Sequence, residues 1–447
     1  MAKKIIIHEL KDWSKIDRNS AFLEGINLSS TELSFGIHPY NGELWTSGYV
    51  GVSRVFNKNK KVISTNGKDH ILVIKSQYNL DPWEMLKVIF EDDEYEDYIE
   101  ELNKKNTYLF KIFHEQPLIR LESDEDNSAD ILLALSFINE CYALCKKGIK
   151  KEMFHKEENY NAKIRGKVDV KKNIKKNMSH GRNDRFYCKY IEFTPDNIEN
   201  RILKAALLKC RTIVTEKFKT SSEIDRRIRY SMNTLKSVKN IKIRNKDFNN
   251  VSISGLYTYY KPALIQAKSI LDKKYHTYKS EEGKQIKKSM YTVPYMINME
   301  NVFEFYARAI LKKELEDKNY KVDKYSKKIF LEKSHDKKVS KNIHLMTYCI
   351  PDIIIRNNKG EVVAVLDAKY KSHERSSRSD SLQLLSYVLL TGSKRCGFIF
   401  PGDMTKIKKL REDDYLIVDT PFNNDTRYYE LILSNNPIFS EINKIIE

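Results

Sequence analysis

Two acidic residues and one lysine in the last third of the chain have the types and spacing of a metal-dependent hydrolytic site. Asp367 and Lys369 alternate near the end of an apolar stretch, EVVAVLDAKYK at 361–371, so strand geometry puts both side chains on one face. Asp352 lies in the preceding apolar stretch. The Asn and Gly of residues 357–360 predict a hairpin turn between the two stretches, which would bring Asp352 beside Asp367.

Neighbouring carboxylates in a largely apolar sheet repel each other unless a cation lies between them. Mg²⁺ suits oxygen ligands and keeps part of its water shell, and Mn²⁺ is an alternative. A nearby lysine can position a metal-bound water or help to deprotonate it. Since the chain is also strongly basic, we predict a Mg²⁺-dependent site for phosphodiester hydrolysis, with Asp352 and Asp367 as metal ligands and Lys369 as a catalytic residue.

The D-x-K spacing alone is a weak signal, because the chain contains several copies of it, including one at 169–171. Only the copy at 367–369 ends an apolar strand and follows a second strand that bears an acid. A salt-bridged strand end without a catalytic role is the alternative interpretation. Lys371 lies on the same predicted strand face as Lys369, so an error in register would exchange the two lysines.

Three further side chains are candidates for the same site. Gln383 and Tyr387, in the sequence QLLSY, are one helical turn apart and share a face of the helix that follows the hairpin. Glu304 lies at the margin of the apolar arc of an earlier helix, from which it could reach a metal-bound water. A solvated surface charge is an equally good interpretation of Glu304.

The apolar patterns of the last third predict the order helix, three strands, helix, strand. The segments are a helix at 300–316, strands at 320–325, 344–356 and 361–370, a helix at 381–391 and a strand at 395–400. Earlier in the chain they predict strands at 4–7, 44–56 and 71–75, a turn at 66–67, and helices at 131–144, 197–218, 222–239 and 263–278.

A chain of 447 residues is too long for one ordinary domain. The element patterns predict a multidomain α+β or α/β protein with three consecutive parts. These are a β-containing amino-terminal domain at 1–150, a mainly helical region at 151–290 and a mixed domain at 291–447 that carries the candidate site.

The positive charge is concentrated in the middle of the chain. The formal net charge is +18, and residues 151–300 carry all of this excess, since residues 1–150 are net −5 and residues 301–447 are net +5. Such a segment attracts phosphates and releases counterions on binding. We therefore predict that residues 151–290 contact DNA, while a lysine-rich composition without that role is the alternative.

Other classes of protein are not expected from the sequence. The longest apolar runs, such as 131–138, are far shorter than the roughly 18 residues of a membrane span, and the amino terminus has no signal-peptide pattern. The six cysteines show no C-x-x-C and no zinc-ligand spacing, which favours reduced thiols in a cytoplasmic protein.

The motifs Pro351-Asp352, Asp367-Ala368-Lys369 and Gln383-x-x-x-Tyr387 resemble, in this order, the core of PD-(D/E)xK nucleases of the RecB-like branch. Over most of its length the chain resembles McrC-like nuclease subunits of McrBC-type restriction systems. The stretches that carry this resemblance are GYVGVSRVF at 48–56, RGKVDV at 165–170, EFTPDNIENRILKAAL at 192–207, NVFEFYARAIL at 301–311, PDIII at 351–355 and VLDAKYK at 365–371. The resemblance implies a PD-(D/E)xK endonuclease domain at 291–447, with the Ala368 backbone carbonyl as a further metal ligand.

The resemblance also implies a two-component system for defence against phage. An McrB-like AAA+ GTPase hexamer would recognise and translocate double-stranded DNA, and this chain would cut it and stimulate the GTPase. GTP would be bound by the partner, because the sequence contains no G-x-x-x-x-G-K-[ST] motif. Residues 1–150 would dock into the partner ring, and dimerisation through the nuclease domain stays open.

Two other functions remain in competition with this hypothesis. One is a stand-alone RecB-like DNA nuclease, which the extra amino-terminal domain disfavours. The other is a non-catalytic bridging subunit that only activates a GTPase, which the intact Asp352, Asp367 and Lys369 disfavour.

Overall fold

The computed structural model describes residues 5–17, 37–40, 42–56, 62–104, 106–113, 116, 119–121, 128–217, 222–271, 290–323, 351–410, 413–420 and 423–446. The strands within these residues are β1 (Ile5–Lys11), β2 (Ile37–Tyr40), β3 (Glu43–Thr46), β4 (Tyr49–Arg54), β5 (Ser64–Thr65), β6 (Lys68–Lys75), β7 (Phe110–Ile112), β8 (Ile119–Leu121), β9 (Glu152–Asn161), β10 (Lys167–Val168), β11 (Arg185–Thr194), β12 (Met290–Thr292), β13 (Tyr295–Asn298), β14 (Lys321–Asp323), β15 (Ile353–Arg356), β16 (Val362–Ala368), β17 (Arg395–Pro401), β18 (Lys406–Ile407), β19 (Leu416–Thr420) and β20 (Asn423–Leu433). The α-helices are α1 (Pro82–Glu91), α2 (Tyr95–Lys104), α3 (Ser128–Lys147), α4 (Val170–Lys176), α5 (Ile198–Lys217), α6 (Ser222–Thr234), α7 (Lys261–Leu271), α8 (Met299–Leu315), α9 (Arg378–Thr391) and α10 (Phe439–Asn443).

The chain divides into two compact units. Unit 1 comprises Met1–Phe113 and Pro294–Glu447, and unit 2 comprises His114–Val293, which is inserted between β7 and β13. The sequence predicts boundaries near residues 150 and 290. The first of these lies inside unit 2, between α3 and β9, so the predicted segment 1–150 does not coincide with a compact unit.

One sheet of unit 1 is built from both parts of the chain. Its strand order is β1-β6-β4-β13-β7, with β5 paired to β6. The strands predicted at 44–56 and 71–75 are confirmed as β3, β4 and β6, and the predicted turn at 66–67 joins β5 to β6. Gly51 has a φ of +151°, and a Cβ there would lie 2.2 Å from the Tyr295 carbonyl oxygen, so glycine lets β13 pair closely with β4.

The second sheet of unit 1 contains the predicted hairpin. Its order is β14-β15-β16-β17-β20-β18, with β19 paired to β20. β15 and β16 are antiparallel, and Asn357 stabilises their turn by accepting hydrogen bonds at its side chain from the Lys359 and Glu361 N–H groups, both at 3.0 Å. The observed order α8, β14, β15, β16, α9, β17 agrees with the predicted order, and residues 324–350 lie outside the described residues.

Capping side chains set where the two helices of this region begin. Asn298 accepts from the Asn301 N–H at the start of α8. Ser377 and Asp380 form a capping box at the start of α9, and Gly392 ends that helix with a φ of +67°. The inner face of α9, with Leu384, Tyr387 and Val388, packs on a core that includes side chains of β16 and β17.

Unit 2 combines a helical bundle with a sheet that the sequence did not indicate. The predicted helices correspond to α3, α5, α6 and α7, while residues 218 and 272–278 lie outside the described residues. The prediction of a mainly helical middle region is incomplete, because β9, β10 and β11 form an antiparallel sheet. Most side chains of β9 are exposed, so the strand lacks the alternation of apolar and polar residues that marks a half-buried strand.

Candidate active site

The hairpin brings the two predicted carboxylates together. Asp352 directly precedes β15, and Asp367 is the last residue but one of β16. Asp352 Oδ2 accepts a hydrogen bond from the Ala368 N–H at 3.0 Å, which fixes the carboxyl group beside the end of β16. Burial and the charge of Asp367 raise the pKa of Asp352 from 3.8 to about 7. Burial likewise raises the pKa of Asp367, whose side chain is only 1% exposed.

Lys369 lies on the same side of the sheet as Asp367. Its Nζ is 2.7 Å from Asp367 Oδ2 and donates to Gln383 Oε1 at 3.2 Å. Burial favours the neutral amine and is the largest single effect, but the charge and hydrogen bond of Asp367, together with the charges of Asp352 and Asp380, outweigh it and raise the pKa of Lys369. The side chain is therefore an ammonium group at neutral pH.

The helix residues predicted for the site complete this chain of contacts. Gln383 Nε2 donates to Tyr387 Oη at 2.6 Å, one turn along α9. Because that contact takes the amide nitrogen, the amide oxygen of Gln383 faces Lys369. Polar side-chain contacts thus form one continuous series, from Asp367 through Lys369 and Gln383 to Tyr387.

Glu304 also lies near the carboxylates, and an unpredicted arginine accompanies it. The charge of Glu304 contributes to the raised pKa of Asp367, although burial is the larger cause. Glu304 Oε1 is 3.3 Å from Arg308 Nη2, and Arg308 Nε donates to the Asp352 carbonyl oxygen at 3.0 Å. The spacing i, i+4 on α8 was the available sequence signal for this pair.

Arg308 connects the site to α2. Its side chain is 2% exposed, and Nη1 lies 3.3 Å from Glu101 Oε2. The acidic stretch 91–101 has the sequence pattern of a solvated helix face, but Glu101 within it is only 9% exposed. Asp92 of the same stretch pairs with Lys312 at 3.3 Å. Charged residues look solvated in a sequence, but here partners on α8 compensate their burial.

Lys371 has a different partner from Lys369. Its Nζ pairs with Asp380 Oδ2 in the capping box of α9. Burial alone would raise the pKa of Asp380, but hydrogen bonds from Lys371 and Ser377 lower it to about 2. The structure therefore places Lys369, and not Lys371, beside Asp367.

The donor atoms present fit a hard divalent cation. Neither carboxylate oxygen of Asp367 accepts a hydrogen bond of good geometry from the described residues, although Lys369 Nζ is close to one of them. Within the described residues no group of three or more His, Cys, Asp or Glu side chains could hold a metal. Two carboxylates with a main-chain oxygen suit Mg²⁺, which keeps several waters, better than a metal that needs a complete protein cage.

A family model described as "McrBC 5-methylcytosine restriction system component" matches residues 99–401. The chain belongs to this family. The resemblance to McrBC systems inferred from the sequence motifs is thereby confirmed. Comparison with curated protein sequences gives no match.

Two solved structures are similar to this McrBC component at low identity. One is a refined half-complex from a tetradecameric assembly of Thermococcus gammatolerans McrB AAA+ hexamers with bound McrC, with a TM-score of 0.38, 14% identity and coverage of 99% of this chain and 100% of that chain. The other is the cryo-EM structure of the Thermococcus gammatolerans McrBC complex, with a TM-score of 0.31, 14% identity and coverage of 69% of this chain and 88% of that chain. The assignment to the family comes from the family model.

No helix in the described ranges is long and apolar enough to span a membrane.

Proposed function

We propose that the chain is the Mg²⁺-dependent DNA endonuclease subunit of a GTP-dependent McrBC-type restriction system, acting in defence against phage. The observation that supports this most directly is the buried pair Asp352 and Asp367 with Lys369 2.7 Å from Asp367, in a chain of the McrBC family. Buried carboxylates beside a lysine supply oxygen ligands for a metal and a cation for the phosphate, a combination that suits metal-dependent phosphodiester hydrolysis. The proposed core is of the PD-(D/E)xK type.

Asp352, Asp367 and the Ala368 backbone carbonyl are the residues that would hold Mg²⁺ or Mn²⁺. When bound, the metal stabilises negative charge on the attacked phosphate and lowers the pKa of a coordinated water. The Lys369 ammonium group can donate a hydrogen bond to the phosphate or orient the attacking water. Gln383, held by Tyr387, accepts from Lys369 and keeps its Nζ directed at the site. Glu304, beside Arg308, can accept a hydrogen bond from a water in the site.

We further propose an McrB-like AAA+ GTPase hexamer as the partner. The two similar solved structures are described as assemblies of McrB with McrC, and the chain itself has no nucleotide-binding P-loop motif. The partner would bind GTP and translocate the DNA. The sequence assigns docking to residues 1–150, which the structure divides between the two units.

Excision of unit 2 distinguishes docking through residues 1–113 of unit 1 from docking through unit 2. The Phe113 N–H donates to the Pro294 carbonyl oxygen at 2.9 Å, so a short linker can replace residues 114–293 without moving β7 from β13. If docking lies in residues 1–113, the shortened chain will still stimulate GTP hydrolysis by the partner. Loss of stimulation by a folded shortened chain would place docking in unit 2.

The basic surface of unit 2 is the proposed contact for DNA. Helix α4 presents Lys171, Lys175 and Lys176 to solvent, within the segment that carries the positive excess. Phosphate contacts of this kind position DNA without selecting a sequence.

Cleavage assays with and without the partner test the proposed function against its alternatives. Methylated and unmethylated DNA should be incubated with the chain, the GTPase, GTP and Mg²⁺, with Asp367→Ala as the inactive variant and Asp317→Ala, an exposed carboxylate, as the matched control. We expect cutting that requires the partner and is lost only in Asp367→Ala. Cutting without the partner would support a stand-alone nuclease. GTPase stimulation without any cutting would support a non-catalytic activator.

A further inference from the structure

The segment that carries Lys369 leaves the sheet directly after β16. The parallel pairing of β16 with β17 ends at Ala368 and Ile399, and the Lys369 N–H donates to the Ile399 carbonyl oxygen at 2.8 Å. The chain then turns back on itself, since the Lys371 N–H donates to the Lys369 carbonyl oxygen at 2.8 Å. The position of the Lys369 side chain therefore depends on what holds the residues that follow the strand.

Tyr370, between the two lysines, anchors this segment to the other sheet of unit 1. Its Oη donates to Asp12 Oδ2 at 2.7 Å and lies 2.9 Å from Ser76 Oγ. Asp12 is 0% exposed, and its Oδ1 accepts from the Gln77 N–H at 2.8 Å. Asp12 and Ser76 directly follow the parallel strands β1 and β6, so the anchor lies at the end of a paired sheet.

Packing alone does not account for this hydrogen bond. The rings of Tyr78 and Phe303 already contact the Tyr370 ring, with centroids 5.2 and 5.9 Å away. A phenylalanine at position 370 would make the same ring contacts and would need no buried carboxylate as a partner. Burial raises the pKa of Asp12 from 3.8 to about 6, so the ionised group is less stable there than in water. A buried polar pair of this kind is better explained by the geometry that it selects than by stability.

We propose that Asp12, through Tyr370, fixes the segment 369–371 so that Lys369 Nζ stays beside Asp367. Asp12 and Tyr370 are then positioning residues for cleavage, held by the amino-terminal sheet rather than by the sheet that carries the carboxylates. This inference rests on the proposed nuclease function.

Hydrogen exchange in the full chain tests the anchor without metal, DNA or partner. Tyr370→Phe removes only the hydroxyl, and we expect the amides of residues 369–371 to exchange about tenfold faster, because their opening is no longer opposed by the bond to Asp12. Mass spectrometry of peptides that span 366–372 measures this. Tyr306→Phe is the matched control, since it removes a buried hydroxyl that donates to the Ser434 carbonyl oxygen at 2.7 Å.

The control should leave exchange of residues 369–371 unchanged. Equal exchange in the wild type and Tyr370→Phe would overturn the proposed anchor. Ser76→Ala, which removes the hydroxyl 2.9 Å from Tyr370 Oη, is a second variant for the same measurement in case Tyr370→Phe does not fold, and it should show a smaller change in the same peptides.

Cleavage kinetics in the complete complex test whether the anchor acts on the chemistry. We expect Tyr370→Phe to lower kcat about tenfold with KM for DNA unchanged, because small misplacements of a catalytic group have effects of this order. The double variant Asp12→Asn/Tyr370→Phe should lose no more than the larger single loss, since both changes break one connection. Losses of kcat that multiply in the double variant, or an unchanged kcat in Tyr370→Phe, would overturn the positioning role.

The two proposals fail in different ways. If Asp367→Ala cuts as well as the wild type, the assignment of the nuclease site to Asp367 fails, while the exchange experiment still reports on the anchor. If Asp367→Ala is inactive and Tyr370→Phe retains full kcat, the nuclease assignment stands and the positioning role fails.

Discussion

The carboxyl group of Asp352 gives the candidate site a pH dependence of known sign. Its folded-state pKa, about 7, lies above the ordinary value of 3.8, so the folded chain holds a proton that the unfolded chain releases. The associated stability is fully present below about pH 4 and is lost as the pH rises through 7. In the absence of metal, Asp352→Asn should therefore be more stable than the wild type at pH 8, by about 2 kcal/mol. The same variant should be inactive in cleavage, because it lacks a proposed metal ligand.

Urea unfolding at pH 5 and pH 8 measures this difference. The gain in unfolding free energy should be larger at pH 8, because Asp352, with a pKa of about 7, is ionised in the folded wild type at pH 8 and protonated at pH 5. Asp317→Asn, at an exposed position, should show no such pH dependence. A destabilised Asp352→Asn at pH 8 would contradict the assigned repulsion.

The two lysines that flank Tyr370 should differ in their effect on cleavage. Lys369→Met removes the ammonium group beside Asp367 and should abolish cutting, with folding intact. Lys371→Met removes only the ion pair with Asp380 in the cap of α9, and we expect cutting within about threefold of the wild type and a stability loss of about 1 kcal/mol or less. Cleavage and thermal melting of both variants should be measured in parallel. An inactive Lys371→Met with an active Lys369→Met would assign the catalytic role to Lys371 instead of Lys369.

Local sequence patterns could predict the side chains of the site that lie within one hairpin and the next helix. Alternation placed Asp367 with Lys369, and helical spacing placed Gln383 with Tyr387. Contacts between distant parts of the chain leave no such pattern. Arg308 and Glu101 are 207 residues apart, and Tyr370 and Asp12 are 358 apart, so nothing in their own neighbourhoods indicated the pairing.

Helix α8 carries a buried positive charge that several elements share. Arg308 donates hydrogen bonds to the Asp352 carbonyl oxygen directly before β15, to Glu101 of α2 and to Glu304 of α8 itself. Arg308→Met would leave two acids without their shared partner, and we expect a loss of about 3 kcal/mol in unfolding free energy. Lys313→Met, exposed on the same helix, is the control. Adding Glu101→Gln should restore part of the loss in urea unfolding, and an equally unstable double variant would argue against a shared charge.

At the level of elements, prediction succeeded where apolar residues are buried. The hairpin strands β15 and β16 bury continuous apolar runs on both faces, and helices α8 and α9 bury apolar residues against the sheets. The sheet of β9, β10 and β11 was missed because exposed positions place few constraints on residue type. The insertion of unit 2 was also missed, since sequence order alone does not show that β13 pairs with β4 and β7.

The charge of the whole molecule predicts salt-sensitive binding to DNA. Because residues 151–300 carry the net positive excess, the logarithm of affinity should fall steeply with the logarithm of salt concentration. Replacing Lys171, Lys175 and Lys176 of α4 by Glu should weaken binding and reduce the slope by about 2 to 3. Fluorescence anisotropy over a salt series measures both quantities.

A matched control changes the same charge elsewhere. Lys394, Lys406 and Lys409 are exposed in unit 1, and their replacement by Glu should alter the slope less. Equal effects of the two triple variants would show that net charge, and not the surface of unit 2, governs binding.

The insertion of unit 2 has a consequence for how the nascent chain folds on the ribosome. Strand β13 lies between β4 and β7, yet it is synthesised only after the whole of unit 2. At usual rates of translation the earlier strands wait roughly ten to forty seconds for it, with the edges of β4 and β7 open. Unit 2 is continuous in sequence and can fold in that interval, so the sheet whose strand β1 leads into Asp12 is completed only after unit 2 has been made.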